Sequence, residues 1–205
     1  MRVRTDSRLA GVNHLLRKEK CDKIMKQIYL AAGCFWATEK LFAGVDGVTD
    51  AVSGYANGKE EIISPSYEMV CGGMTQYKET VKIDYDETKV SLKKLLLIYF
   101  NVIDPTIYDG QGADKGTQYQ TGIYYTEEEQ LPVIEEISAM VKERVRAYCV
   151  ETMPLTVFYR AEEYHQKYLD KNPGGYCHIP VTTMNELKDL SEEELTDRLI
   201  SREYY

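Results

Sequence analysis

Ile28-Tyr29-Leu30-Ala31-Ala32-Gly33-Cys34-Phe35-Trp36-Ala37-Thr38-Glu39-Lys40-Leu41-Phe42 is the stretch around which the chain is ordered. Ile28 to Ala32 is an apolar run of strand length, Gly33 permits a sharp turn, and Ala37 to Phe42 carries a helical pattern. Cys34 therefore falls on the first turn of a helix that follows a strand. Unpaired N–H groups and the positive end of the macrodipole favour an anion there, so this thiol is expected to ionise more easily than free cysteine. Phe35 and Trp36, the latter the only tryptophan, can wall a small apolar pocket beside the sulfur. A cysteine at a strand end is otherwise a packing residue. What Cys34 does depends on what the remaining chain brings to it.

With 205 residues, 43% of them hydrophobic, the chain can bury one core. A net charge of −8 argues against nucleic acid or an anionic membrane as the main partner. No apolar run approaches the roughly 18 residues of a membrane span, and a secretory leader pattern is absent, so the cytoplasm is the expected location. Five cysteines without a regular framework suit a reducing compartment with one or two reactive thiols. His14, His165 and His178 lack zinc-like spacing from a cysteine pair. No metal and no bound cofactor are expected. His178, beside Cys177, is the nearest thing to a metal clue.

Residues 1–26 are mixed and basic-leaning and are expected to form a poorly ordered extension. Val48 to Tyr55 alternates as a strand. Lys59 to Thr75 is a loop in which Tyr67 to Cys71 can form a turn of helix. Glu79 to Tyr85 is a strand with Val81, Ile83 and Tyr85 on one face and Lys82 and Asp84 on the other. Ser91 caps a helix whose Leu92, Leu95, Leu96 and Tyr99 share one side. A loop from Ile107 to Thr117 delivers a strand at Gln118 to Tyr125. Thr126 and the following glutamates start a helix with Ile134, Ile137, Val141 and Val145 on one face, Pro132 lying in its first turn. Short strands are expected at Cys149 to Thr152 and Leu155 to Tyr159, then a helix at Ala161 to Lys171. Cys177 follows on a flexible turn, and a peripheral, charged helix lies beyond Leu190.

Strands and helices intermix without a strict βαβ repeat. The expected class is α+β: a two-layer α/β sandwich around a mixed, largely antiparallel sheet with a ferredoxin-like core. Three parts are expected, an extension over 1–26, a catalytic domain over 27–180 and a helical tail over 181–205.

Gly33-Cys34-Phe35-Trp36, Pro65-Ser66-Tyr67-Glu68, the Glu79 strand, Asp104-Pro105-Thr106, Gly116-Thr117-Gln118-Tyr119, Ala161-Glu162-Glu163-Tyr164-His165-Gln166 and Asn172-Pro173-Gly174-Gly175-Tyr176-Cys177 stand in one order. Together they resemble peptide methionine sulfoxide reductase A, from about Gln27 to Pro180. The resemblance implies a thiol-dependent reduction of methionine S-sulfoxide, free or in proteins. Cys34 would be the nucleophile, Glu79 the acid that protonates the sulfoxide oxygen, and Cys177 the thiol that resolves a Cys34 sulfenic acid as a disulfide. Thioredoxin would then reduce that disulfide. Tyr67 and Tyr119 would hydrogen-bond the sulfoxide oxygen, Phe35 and Trp36 would cage the methyl group, and Asp114 would place water or substrate backbone. Cys71 and Cys149 would be passive, and His165 structural. A monomer is implied.

The sequence departs from the family pattern near the acid. Gln76-Tyr77-Lys78 replaces the usual Gly-His-Ala, Ala113 replaces the Asn before Asp114, and Gln120 replaces the Arg after Tyr119. Lys78 is expected to alter the field at Glu79. The tail from Leu187 is similar to the helical lead-in found where this domain is fused to a type B reductase, although no second domain is expected. The alternative reading is a methionine-sulfoxide-binding or redox-sensing module with little turnover.

Overall fold

The computed structural model describes residues 24–204. His14, Cys21 and nearly all of the expected extension lie outside them. Met25 and Lys26 already belong to the first strand, β1 (Met25–Ala32). Met25 pairs with Asp86, and Lys26 forms an ion pair with Glu127.

β1 is followed by α1 (Phe35–Ala43), β2 (Val48–Ala56), α2 (Tyr67–Cys71), β3 (Lys78–Asp86) and α3 (Leu92–Val102). Next come a two-residue hairpin, β4 (Gly110–Gln111) with β5 (Asp114–Lys115), and β6 (Thr121–Tyr125). The chain ends with α4 (Leu131–Lys142), β7 (Glu151–Pro154), β8 (Phe158–Arg160), α5 (Tyr168–Lys171), α6 (Val181–Asp189) and α7 (Glu192–Ser201). The main sheet runs β7-β6-β1-β3-β2-β8. All its neighbours are antiparallel except β6 and β7, so the sheet is mixed and largely antiparallel. Its four central strands, with α1 and α3, follow a β-α-β-β-α-β order. No described helix is long and apolar enough to cross a membrane.

Alternation along the strands decides the two faces. Ile28, Leu30 and Ala32 of β1 join Val81, Ile83 and Tyr85 of β3 in the main core under α1 and α3. Tyr29 and Ala31 point the other way, into a small cluster with Ala56 and Tyr124 that Met153, Leu155 and Phe158 cover. Ser91 caps α3 by accepting the Lys94 N–H at 2.9 Å, and Leu92, Leu95, Leu96 and Tyr99 are all buried.

Four local expectations are corrected. Gln118 and Tyr119 lie in a 3-10 turn, and the strand begins only at Thr121; the buried Gln118 side chain folds back over Gly116, whose φ is +134°. The α4 helix ends at Lys142, so Val145 packs on the core from beyond it. Of the helix expected over Ala161 to Lys171, only Tyr168–Lys171 forms, and residues 163–167 are turns. Gln166 donates to the Ser53 and Ala161 carbonyls, both at 2.9 Å, and the Lys167 N–H goes to the Glu39 carboxylate at 2.8 Å. These tertiary partners replace the helical ladder.

The tail is two helices, not one peripheral one. Leu187, Leu195 and Leu199 belong to the main core. Asn101 of α3 donates to the Leu195 carbonyl at 3.0 Å, and Arg202 donates to the Phe100 carbonyl at 3.1 Å. Leu195→Ala is therefore expected to cost about 2–5 kcal/mol, measured by urea unfolding of the full chain. A cost below about 0.5 kcal/mol, the usual range for surface changes, would return α7 to the periphery.

Candidate active site

Gly33 makes the site possible. Its φ is +84°, and a Cβ on it would stand 2.7 Å from the Gln111 Cβ. Only glycine allows both the turn and that approach. Gln111 in turn holds the hairpin to the loop after α3, accepting the Asp104 N–H at 2.7 Å and donating to the Asp104 carbonyl at 2.9 Å. Asp114 is carried on the hairpin's second strand, opposite Gln111.

Cys34 is the N-cap residue of α1 and is buried. The backbone N–H groups of Trp36 and Ala37 reach its sulfur and favour the thiolate, as the helix position implies. Burial outweighs them. Together with the nearby carboxyls of Glu79 and Asp114, it pushes the thiol well above the ordinary cysteine range. The expected ease of ionisation is thus overturned in the free site: desolvation of a buried anion exceeds what two helix N–H groups return.

Glu79, the second residue of β3, is buried beside the same helix end and accepts the Phe35 N–H at 3.0 Å. Burial raises its carboxyl to about 8, against the Phe35 hydrogen bond and with a further push from Asp114. At neutral pH it holds a proton. Lys78 does not face it. As the preceding strand residue it emerges on the opposite face, where its Nζ lies 3.3 Å from Glu151 Oε2, which also accepts the Tyr124 hydroxyl at 2.8 Å. The expected effect of Lys78 on the acid is accordingly absent from the influences on Glu79. Gln76 takes a φ of +59°, the conformation glycine adopts most readily. Tyr77 is buried, and its hydroxyl donates to the Ile62 carbonyl at 2.8 Å, fastening the preceding loop.

Tyr67 opens α2 and Tyr119 closes the 3-10 turn. Burial is the main reason both phenols stay protonated, and both feel Glu79. Tyr67 also feels the Cys71 sulfur, and Tyr119 feels Cys34, Asp114 and Cys71. Cys71, expected to be passive, thus sits at the rim of this cluster. Phe35 is fully buried, 5.9 Å from the Tyr55 ring. Trp36 is half-buried and stacks on Tyr168 at 3.8 Å. Its indole N–H donates to His165 Nδ1 at 3.0 Å.

Sequence reasoning missed Glu162. Its carboxylate accepts the Tyr55 hydroxyl and the Tyr67 N–H, each at 2.8 Å, and lies 4.0 Å from His165 Nε2. The Glu162–His165 pair thereby ties the Tyr67 loop to the Trp36 ring. The signal was present in the quoted block, but reading it as a regular helix hid the turn that aims both side chains inward.

Cys177 is half-buried. Its thiol donates to the Ile179 carbonyl at 2.9 Å and lines a cleft of about 330 Å³ with Leu169, Pro173, Gly175 and Val181. Burial pushes this thiol up as well, with the Ile179 backbone opposing it. Tyr176 feels Asp114 together with Cys34 and Cys177. The four described cysteines are all free.

A cysteine thiol and a neutral carboxyl share one helix end, the two groups with which a thiol-dependent oxidoreductase takes an oxygen atom from a substrate. The chain matches the model of the peptide methionine sulfoxide reductase family over residues 26–197. It belongs to that family and is an oxidoreductase acting on methionine sulfoxide. Among curated relatives, the peptide methionine sulfoxide reductase MsrA of Clostridium acetobutylicum is 54% identical over 157 residues, spanning 76% of this chain and 96% of the relative. That of Lachnoclostridium phytofermentans is 48% identical over 165 residues, 80% of this chain and 98% of its own length. Among solved structures, reduced Mxr1 of Saccharomyces cerevisiae superposes with a TM-score of 0.71 at 38% identity, over 75% of this chain and 88% of its own. Methionine sulfoxide reductase A of Corynebacterium diphtheriae gives 0.70 at 33% identity, over 75% and 78%.

Proposed function

We propose that the chain reduces the S epimer of methionine sulfoxide, free or in proteins, through Cys34, Glu79 and Cys177. The observation that carries this reading is the shared helix end: the Phe35 N–H that meets Glu79 is the peptide directly after Cys34. Sulfoxide oxygen leaves only when protonated, and a carboxyl held neutral up to about pH 8 supplies that proton. Tyr67 and Tyr119, kept as hydroxyl donors, hold the oxygen, and the Trp36 face receives the methyl group, with Phe35 packing behind it. Asp114 orients water or substrate backbone at the mouth.

The buried thiol is stored in its inert form. When the substrate displaces water, Cys34 sulfur attacks the sulfoxide sulfur as the oxygen is protonated. The products are methionine and a Cys34 sulfenic acid, the cysteine sulfur oxidised by two electrons and the substrate sulfur reduced by two. The Cys177 thiol then displaces hydroxide from Cys34, which leaves as water, and a disulfide forms. A dithiol of the thioredoxin type exchanges with that disulfide and restores both thiols. Gly174 and Gly175 precede Cys177, and the open space around Gly174 is consistent with a turn that can swing.

Two measurements test the scheme. Mass spectrometry after one equivalent of a peptide bearing methionine S-sulfoxide should locate a Cys34–Cys177 disulfide; a different pairing would reassign the resolving thiol. Cys177→Ser should release about one equivalent of methionine and then stall with thioredoxin as sole reductant. Undiminished recycling in that variant would remove Cys177 from the cycle.

A further inference from the structure

The site as described contains two groups that hold protons, Glu79 and the Cys34 thiol, but the scheme names none that accepts the thiol proton. His178 is placed to do so. Its side chain is 9% exposed, and neither buried ring nitrogen makes a well-formed hydrogen bond, although the Ala32 carbonyl faces the ring. Its Cε1 lies 3.7 Å from the position a Gly33 Cβ would take, directly before Cys34. Nδ1 is 4.0 Å from Asp114 Oδ2, which is itself buried and unpartnered. Two unsatisfied polar atoms facing each other, next to the residue that precedes Cys34, are costly unless they serve a purpose. At the other described histidine, His165, Nδ1 accepts the Trp36 indole N–H and Nε2 lies 4.0 Å from Glu162.

We infer that His178, oriented by Asp114, is a proton acceptor for Cys34, making a Cys–His–Asp relay beside the acid. This rests on the reading of Cys34 as nucleophile. The step balances: Cys34–SH, the sulfoxide, protonated Glu79 and neutral His178 become Cys34–S–OH, methionine, the Glu79 carboxylate and the His178 imidazolium. When Cys177 attacks, the imidazolium proton goes to the departing hydroxide and the Cys177 thiol proton to the Glu79 carboxylate, so that both groups return to their starting states.

The groups facing His178 are Asp114 from β5, the Ala32 carbonyl at the end of β1, and Gly33, the residue before Cys34. Tyr176, from its own turn, lies near Asp114. Burial favours the neutral ring while Asp114 and Ala32 favour the charged one, and burial prevails, so the ring is free to accept a proton at neutral pH. The separation of 4.0 Å to Asp114 leaves a contact that can close when the ring becomes charged.

The test compares wild type with His178→Gln and His178→Asn from pH 6 to 10. Cys34 alkylation by iodoacetamide is followed by peptide-resolved mass spectrometry, and methionine formation by single turnover. At pH 7 alkylation should fall about tenfold and single turnover about 100-fold, in the range of general-base effects. Both deficits should close towards pH 10, as hydroxide takes over deprotonation. Rates within twofold of wild type at pH 7 would overturn the relay. So would a deficit equal at every pH, which marks a purely structural role. If alkylation depends on His178 but wild type forms no methionine, the relay stands and the assigned reaction fails.

Discussion

Replacing Cys34 by serine is expected to abolish methionine formation in a single turnover, with a loss of at least about 10⁴-fold. A serine hydroxyl at the N-cap of α1 would still meet the Trp36 and Ala37 N–H groups that now reach the sulfur. The fold should therefore persist, and the loss would be chemical. An alkoxide is far harder to form than a thiolate and cannot pass through a sulfenic acid. Rapid-quench measurement with a peptide carrying one methionine S-sulfoxide reads the rate directly. Retention of even a tenth of the wild-type rate would move the nucleophile to another residue, Cys71 at the rim being the first to examine.

Glu79→Gln should slow the same step by about 10²–10⁴-fold while changing substrate affinity little. The amide keeps the shape and can still accept the Phe35 N–H, but it has no proton to give. In wild type the protonated fraction of Glu79 falls as pH rises through about 8. The acid-dependent part of the rate should fall with it, and Glu79→Gln should show no such inflection. Stability supplies an independent reading. The unfolded chain releases this proton near 4.5 whereas the folded one keeps it to about 8. A raised folded-state pKa gives stability that is complete below 4.5 and is lost as pH climbs through 8, about 5 kcal/mol in all, of which about 4 falls between pH 5 and pH 9. Glu79→Gln carries no such titration. Urea unfolding at pH 5 and pH 9 should show the variant gaining on wild type by roughly that amount. An equal difference at both pH values would mean the carboxyl does not titrate in this window.

The departures at Gln76-Tyr77-Lys78 have a structural account that leaves the acid alone. Lys78 and Glu79 are neighbours in sequence and sit on opposite faces of one strand, so the cation pairs with Glu151 instead. Tyr77 fastens the loop through the Ile62 carbonyl. Gln76 adopts the left-handed backbone at a cost that glycine would avoid.

Much of the core was legible, because strand alternation and helix spacing are local signals. Val81, Ile83 and Tyr85, and Leu92, Leu95, Leu96 and Tyr99, are buried as their periods imply. Gly33 before Cys34, Ser91 before Leu92 and Pro132 in the first turn of α4 marked their elements for equally local reasons. The errors cluster where side chains bond to distant backbone. The 161–167 segment has helical composition, yet Ser53 and Glu39 draw it away from helix. The α7 helix has a charged face that suggests the periphery, yet Leu195 and Leu199 reach the core through α3.

By itself the sequence determined the strand–turn–helix around Cys34, the pattern of the sheet, and the family, each written in local spacing and ordered motifs. Only the tertiary structure decided the charge states at the site. A helix end and a glycine can be read from neighbouring residues, but desolvation depends on everything packed around a group. Burial keeps Glu79 protonated and, contrary to the local reading, Cys34 protonated too. It also places His178 beside Gly33, a pairing across most of the chain that no local pattern could announce.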